Sequence, residues 1–140
     1  MASKSMPASD VAKIWSLNYR LLLSVIASVE ADIGALGLDC KELFLLAEID
    51  EHPYPAELAT TLNMPKATVT VYLKRLEGAG FVRREIDPAD LRRHRLLLTA
   101  AGRDILGDGL TLLSVAFDKR LDRLTAAQQK DLKSLLEEIL

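Results

Sequence analysis

The spacing of apolar and polar residues predicts a chain built mainly of α-helices. Apolar side chains recur every three or four residues from Val11 to Ile33, which predicts one long helix. The middle of this helix, residues 17–29, carries a single charge at Arg20. A helix this apolar needs to be covered on more than one side.

Local signals predict where the elements begin and end. Helix caps or breakers occur at Ser9 and Asp10, at Gly34 with Gly37, at Asp39 with Glu42, at Pro55, at Thr99 and at Thr125. The further elements that they delimit are helices over 39–49, 55–62 and 66–78, strands over 81–86 and 94–98, and two C-terminal helices that begin after Thr99 and Thr125. The predicted architecture is therefore helical with one two-stranded hairpin.

The predicted helix over 66–78 has two chemically different faces. Its inner face holds Val69, Leu73 and Leu76, which share one side because they are spaced by four and three residues. The opposite face has no acid before Glu77 and gathers Lys66, Thr70 and Lys74, with Thr68 and Arg75 at its flanks. Small donors and cations of this kind are what a helix inserted into a nucleic-acid groove needs.

A hairpin with a charged tip follows this helix. Its strands are joined by the polar, turn-rich segment 87–93, which contains Asp90, Arg92 and Arg93. A short helix, a turn, a second helix and a hairpin form the order of the winged helix-turn-helix, whose second helix enters the major groove of DNA. An arginine at the tip suits a narrow minor groove, where the negative potential is enhanced. For the hairpin alone, a merely solvated tip is the alternative.

The distribution of charge supports this interpretation, although the net charge does not. The 140 residues carry a formal net charge of -2. Residues 66–95 hold eight basic and four acidic side chains, a local charge of +4, which leaves -6 for the rest of the chain. A basic block on an acidic protein directs the attraction of anions to one surface.

These residues resemble a known family, the MarR-type transcriptional regulators. The resemblance covers nearly the whole chain, and its matching residues are Glu57-Leu58-Ala59, Lys66-Ala67-Thr68-Val69-Thr70, Arg75-Leu76-Glu77, Gly80-Phe81-Val82-Arg83-Arg84, Asp87-Pro88, Asp90, Arg92, Leu98-Thr99 and Ala101-Gly102. The chain departs from the family pattern at Val71, where the family often has a long polar residue that contacts bases. It departs again at Pro65, which replaces the common Ser or Asp cap.

The resemblance implies a two-fold homodimer that binds an inverted repeat in double-stranded DNA. In the family, the aspartate of the hairpin holds its shape and the arginine enters the minor groove, which assigns these roles to Asp90 and to Arg92 with its neighbour Arg93. Relatives often bind small aromatic or anionic effectors beside the dimerisation helices. Trp15 and Tyr19, which lie four residues apart on the first helix, are candidate lining residues. A place in the core or in the dimer interface is the alternative for both.

The chain is predicted to form one integrated domain in three segments. Residues 39–99 form the winged helix-turn-helix block, and residues 1–38 and 100–140 supply dimerisation helices. The outer helices are too apolar to be covered by so small a body, which favours a partner chain. A single monomeric bundle is the alternative.

Other chemistry in the sequence is sparse. Cys40 is the only cysteine, which excludes an intramolecular disulfide, and a buried small residue is favoured there over a redox sensor. His52 and His94 have no cysteine or carboxylate at metal-ligand spacing beside them, so no metal and no other cofactor is expected. The lack of a nucleophile partnered with histidine, and of a phosphate-binding loop, argues against an enzyme. The absence of a signal peptide and of a membrane-length apolar run predicts a cytoplasmic protein with no membrane partner.

We therefore predict a mainly α fold, a winged helix-turn-helix with flanking N- and C-terminal dimerisation helices, that acts as a ligand-responsive repressor. Two alternatives stay open at this point. One is a winged-helix module for protein contact, which needs no free cationic face. The other is a stress- or ligand-sensing helical protein with little affinity for DNA.

Overall fold

The computed structural model describes residues 5–140 of the chain. Its elements follow in the order α1 (Ala8–Ala35), α2 (Cys40–Glu48), α3 (Pro55–Thr61), α4 (Lys66–Gly78), β1 (Val82–Ile86), β2 (His94–Leu98), α5 (Ala100–Leu121) and α6 (Ala126–Ile139). This mainly helical architecture with one hairpin confirms the predicted fold class. Residues 1–4 of the predicted segment 1–38 lie outside the described residues.

Two helices begin at reciprocal side-chain caps, where the sequence predicts a capping box at Asp39 with Glu42 and a cap at Thr125. At α2, the Asp39 carboxylate accepts from the Glu42 amide at 2.9 Å, and the Glu42 carboxylate accepts from the Asp39 amide at 3.2 Å. Thr125 and Gln128 exchange the equivalent pair of bonds at the start of α6. Each box satisfies two amides that the first turn of a helix leaves unpaired.

The long first helix begins slightly before its predicted caps. The carbonyl of Pro7 accepts from the amide of Asp10 at 2.9 Å, so Ser9 and Asp10 already lie within the first turn of α1. The prediction that they cap this helix is wrong, because Pro7 supplies the first carbonyl of the ladder. Asp10 still favours the first turn through its negative charge. The predicted breaker Gly34 lies inside the helix, which continues to Ala35.

Tight left-handed turns set the direction of α4 at both ends. Asn63, in the turn before α4, has a φ of 51°, and Gly80, just after it, has a φ of 81°. The amide of Phe81 then donates to the Leu76 carbonyl at 3.0 Å, which closes the helix in a Schellman motif. Glycine has no Cβ to oppose this conformation, and asparagine tolerates it better than most residues.

The two strands form an antiparallel hairpin that encloses the predicted charged tip. Val82 pairs with Leu98 at its base, and Ile86 pairs with His94 next to the tip. Val82, Leu96 and Leu98 are buried, so one side of the hairpin packs into the protein. The segment 87–93 therefore projects from an anchored base.

The chain divides into two compact units. The central unit is Asp32–Leu112, and the terminal-helix unit combines the described part of Met1–Ala31 with Leu113–Leu140. The sequence places segment boundaries after residues 38 and 99, next to the ends of α1 and β2. The compact units instead divide within α1 and α5.

The core of the central unit is a set of aliphatic side chains from its helices and hairpin. The large residues that are at most 1% exposed there are Ile33, Leu43, Leu45, Leu46, Ile49, Leu58, Val69, Leu73, Leu76 and Leu96. Burying each such side chain contributes about 1.5–3 kcal/mol to folding. Three of them belong to α4, so the core fixes which face of that helix remains at the surface.

The terminal-helix unit leaves much apolar surface uncovered within one chain. No residue of α6 is buried. The large apolar side chains of this unit that are at least 47% exposed, among the described residues, are Met6, Val11, Ile14, Trp15, Leu17, Tyr19, Leu22, Leu23, Val115, Leu135, Ile139 and Leu140. Among the helices described, none is by itself long and apolar enough to span a membrane, and only the pair α1–α2, bent by 89°, meets the length and composition required.

Candidate nucleic-acid interface

Helix α4 presents the two faces that the sequence predicts. Its inner side chains, Val69, Leu73 and Leu76, are at most 1% exposed. Thr68 is half-buried at the flank, and the exposed side chains between positions 66 and 75 are Lys66, Ala67, Thr70, Val71, Lys74 and Arg75. The hydroxyl of Thr70 donates to the carbonyl of Lys66 at 3.0 Å, so its proton is held by the helix itself. The outer face thus offers cations and methyl groups.

Most cations of the basic block 66–95 are occupied by neighbouring side chains. The ion pairs are Arg75–Glu42 at 3.1 Å, Arg83–Glu85 at 3.3 Å, Arg84–Glu77 at 2.5 Å and Arg95–Glu85 at 2.6 Å. Across residues 5–140, the side chains of this block with neither an ion-pair partner nor an aromatic partner are Lys66, Lys74 and Arg92. All three are among the DNA-contacting residues predicted from the sequence.

Arg75 has a structural partner in addition to its predicted contact with DNA. Its Nη2 lies 3.1 Å from Oε1 of Glu42, a carboxylate whose residue is only 2% exposed. A buried carboxylate is costly unless it is paired, so the guanidinium stabilises the contact between α4 and the start of α2. Arg75 is itself 57% exposed, and its contact with DNA stays a prediction.

The tip of the hairpin is shaped by Asp90. Its carboxylate accepts from the amide of Arg92 at 3.0 Å, and its carbonyl accepts from the amide of Arg93 at 3.0 Å. This combination is an Asx turn enclosed in a tight turn. It leaves Leu91, 78% exposed, and Arg92 at the corner. The geometry agrees with the support role predicted for Asp90, and the effect on DNA binding stays a prediction.

Arg93, at the end of the tip segment, packs against Tyr54. Its Cζ lies 3.6 Å from the centre of the Tyr54 ring, within the range of a cation–π contact. The hydroxyl of Tyr54 in turn donates to the carboxylate of Asp87, which is 5% exposed and also accepts from the Ala89 amide at 2.8 Å. Tyr54, Asp87 and Arg93, the Tyr54 cluster, thus connect the segment before α3 to both ends of the hairpin tip.

Hydrogen bonding in the Tyr54 cluster fixes its charge state. The bond from Tyr54 and the backbone bond from Ala89 lower the pKa of Asp87, and the bond to Asp87 raises the pKa of Tyr54. The cluster at neutral pH is therefore a carboxylate, a neutral phenol and a guanidinium.

The carbonyl of Pro53 also accepts from the Leu96 amide at 2.7 Å. The role of Tyr54 was not predicted, since a lone aromatic in a proline-rich connector carries no sequence signal for this contact.

The part of the chain that matches a known protein family contains the exposed cations of α4 and the hairpin tip. The sequence model of the MarR family matches residues 40–94, from the start of α2 to the start of β2. The HTH-type transcriptional repressor Rv2887 of Mycobacterium tuberculosis (strain ATCC 25618 / H37Rv) is 31% identical over 136 residues, which cover 96% of this chain and 98% of the relative. The chain belongs to the MarR family.

Solved structures of MarR proteins share the fold along almost the full chain. A crystal structure of the Mycobacterium tuberculosis MarR family protein Rv2887 in complex with DNA has a TM-score of 0.73 and 28% identity, and covers 96% of this chain and 98% of that one. A structure of the same protein in complex with p-aminosalicylic acid has a TM-score of 0.74 and 29% identity over the same shares. The family assignment made from the sequence is confirmed.

The aromatic pair that the MarR resemblance singled out lies on α1. Trp15 and Tyr19 are stacked, with ring centres 6.0 Å apart and planes inclined by 19°. They are 68% and 50% exposed, so neither belongs to the core of its own chain. The ligand site and the dimer interface stay predictions for both residues.

The surroundings of His52 differ from the prediction that no carboxylate accompanies it. Two carboxylates do accompany His52, since ligand atoms of Glu48, Glu51 and His52 lie within 4.8 Å of one another. The i, i+4 spacing of Glu48 and His52 carried this signal in the sequence. The His52 Nε2 atom lies 3.9 Å from Glu48 Oε2, so an ion pair of protonated His52 explains the group as well as a metal does. Cys40 is buried at the start of α2, as expected.

Proposed function

We propose that the protein is a homodimeric, sequence-specific transcriptional repressor that binds an inverted repeat in double-stranded DNA. One observation carries the proposal. Of the eight cations in the basic block, those left without a side-chain partner among the described residues are Lys66 and Lys74, on the outer face of α4, and Arg92, at the corner of the hairpin. A protein-interaction module has no need to leave these three charges available together.

The two elements are suited to different grooves. Helix α4 is the second helix of the helix-turn-helix and enters the major groove, where Lys66 and Lys74 neutralise phosphates. Thr68 and Thr70 lie beside them and approach phosphates or base edges. The hairpin tip presents Arg92 to the flanking minor groove, whose potential favours a guanidinium. Arg75 and Arg93 support these elements through their partners and add to the positive potential.

What is known of a relative supports DNA binding and repression. Rv2887 is named a transcriptional repressor and has been crystallised with DNA. Repression by occupation of a promoter is the mode that we propose for this chain. The corresponding location is the cytoplasm.

A second copy of the chain is the proposed cover for the terminal helices. Large apolar side chains are exposed in both terminal parts of the chain, between Met6 and Leu23 and at Leu135, Ile139 and Leu140. Exposed apolar surface of this extent marks an interaction surface. A two-fold dimer places two copies of α4 about one helical turn apart on the DNA, which matches an inverted repeat.

A small aromatic or anionic effector is proposed as the regulating ligand. Trp15 and Tyr19 are the candidate residues, because their stacked rings are exposed, and Rv2887 has been crystallised with p-aminosalicylic acid. Trp15 is the only tryptophan, so titration with aromatic acids should change its fluorescence and the affinity for DNA together. If neither changes across a panel of such acids, both residues belong to the dimer interface.

The salt dependence of binding tests the proposed DNA contact. A palindromic site is first selected from a random duplex library with the wild-type protein. The affinity for this site is then measured at several salt concentrations, and the number of protomers bound per duplex is counted. Lys74→Ala should weaken binding to every sequence and reduce the slope of log K against log salt by about 0.9 per protomer, or about 1.8 for a dimer.

Lys130→Ala is the matched control. It removes the same charge from the exposed surface of α6 and should leave the slope unchanged. Equal slopes for wild type and Lys74→Ala would show that α4 does not face DNA. One protomer per duplex would overturn the dimer.

A further inference from the structure

The centre of the outer face of α4 is apolar, although its flanks are charged. Val71 is 57% exposed on a helix whose other large aliphatic side chains are at most 1% exposed. Ala67, one turn earlier, is exposed beside it, and Lys74 follows three residues later. Residues spaced by three or four lie on one side of a helix, so Val71 and Ala67 share the outward side with a lysine.

Hydrogen-bond donors for base edges are lacking at this centre. The proton of the Thr70 hydroxyl is held by the Lys66 carbonyl at 3.0 Å. Asn, Gln and Arg are absent from positions 66 to 74, and the lysines, which can also donate to guanine, lie before and after this centre at Lys66 and Lys74. What the centre offers instead are the methyl groups of Ala67, Thr70 and Val71.

The major groove contains one apolar group that such a surface can contact. This is the C5-methyl of thymine, which distinguishes a T·A pair by shape and hydrophobicity rather than by hydrogen bonds. We propose that Val71 contacts a thymine methyl in each half-site and makes that methyl a determinant of sequence specificity. The inference rests on the proposed function, since it requires α4 to lie in the major groove.

The charges around Val71 favour DNA over a protein partner as its occupant. Lys66 and Lys74 are exposed next to it and have no ion pair in the described chain. An apolar protein surface large enough to cover Val71 would also desolvate these two amines without a counter-charge, which is costly. Phosphates on either side of the groove supply that counter-charge while the groove floor supplies the methyl.

Replacement of thymine by deoxyuridine tests the inference, because it removes the C5-methyl and leaves base pairing intact. The full-length protein first selects duplexes from a random library, and each thymine of the selected site is then replaced singly. Wild type should lose about fourfold in affinity at one thymine of a half-site, the factor supplied by burying one methyl-sized group. Replacement in both half-sites should cost the square of that, about sixteenfold.

Two variants assign the effect to Val71. Val71→Ala should bind the thymine and deoxyuridine duplexes alike. Lys74→Ala should bind both less tightly and keep the wild-type ratio between them, because it removes a phosphate contact only. Equal urea midpoints for wild type and Val71→Ala would establish that the exposed substitution leaves the fold intact.

The outcomes separate the inference from the function on which it rests. If a sequence is selected but no deoxyuridine replacement weakens wild-type binding, or if Val71→Ala discriminates as wild type does, the thymine contact is wrong and the DNA-binding function stands. If wild type selects no sequence at all, both the function and the inference fail.

Discussion

Gly102 allows the packing between α5 and the hairpin to be tested with one methyl group. It lies in the first turn of α5 and is buried. A Cβ built on it would lie 2.9 Å from the carbonyl carbon of Phe81, and closer still to its oxygen. Both neighbours are backbone atoms at the start of the hairpin, so no side-chain rotation relieves the overlap. Gly102→Ala must therefore move α5 away from Phe81.

The cost of this movement is estimated from the bonds that it stretches. The Thr99 amide donates to the Phe81 carbonyl at 3.1 Å, and the Thr99 hydroxyl donates to the Gly80 carbonyl at 2.6 Å. Overpacking costs about 1–3 kcal/mol, and weakening the two bonds adds up to about 1 kcal/mol each. The higher helix propensity of alanine stabilises α5 by about 1 kcal/mol and offsets part of this cost. Together these terms predict that Gly102→Ala destabilises the protein by up to about 4 kcal/mol, and by about 2 kcal/mol at the middle of the ranges.

Gly107→Ala is the matched control on the same helix. Nothing lies within 4 Å of a Cβ added at Gly107, so only the propensity term applies and the variant should gain up to about 1 kcal/mol. Urea unfolding at equal protomer concentration gives both free energies, since the stability of a dimer, the proposed state, would depend on concentration. If the two variants shift the midpoint alike, the close approach of α5 to Phe81 does not limit stability and the reasoning is wrong.

Two further predictions concern the hairpin. Arg92→Ala should weaken DNA binding by about 1–3 kcal/mol and relax the sequence preference at the flanks of the site. Asp90→Ala should act indirectly, by loosening the tip that presents Arg92. Identical footprints for wild type and Arg92→Ala would exclude the minor-groove contact. Tyr54→Phe should lower the urea midpoint at pH 7, because it removes the hydrogen bond that most lowers the pKa of Asp87. A carboxylate with a lowered pKa stabilises the fold above its ordinary value of 3.8 and loses that contribution as the pH falls through the folded pKa, so the midpoints of wild type and variant should converge in acid. A difference that persists unchanged at low pH would contradict this assignment.

The features that the sequence predicted well are set by neighbours along the chain. The caps at Asp39 and Thr125 join residues three positions apart, so their signals are local. The inner face of α4 follows from the period of the helix, which places Val69 and Leu73 on one side. These patterns determine most of the element boundaries without knowledge of the tertiary fold.

The missed features depend on residues distant in sequence. Arg75 and Glu42 are 33 positions apart, and Arg93 and Tyr54 are 39 positions apart, yet each pair is in contact. A count of charges assigns all eight cations of the block equally to DNA. Only the folded chain separates those that support the scaffold from those left available. The start of α1 was misplaced for a different reason, since the first carbonyl of its ladder comes from Pro7, which no side-chain signal marks.

Attachment of the hairpin beside its tip has a consequence for the thermodynamics of association. The hydrogen bond from Tyr54 to Asp87 and the contact of Arg93 with Tyr54 hold the two ends of the segment 87–93 before any DNA arrives. A loop that is ordered beforehand loses less conformational entropy on binding than a mobile one. The hairpin should therefore dock as a preformed element, and its corner residues, Leu91 and Arg92, could be exchanged during evolution without rebuilding the loop that carries them.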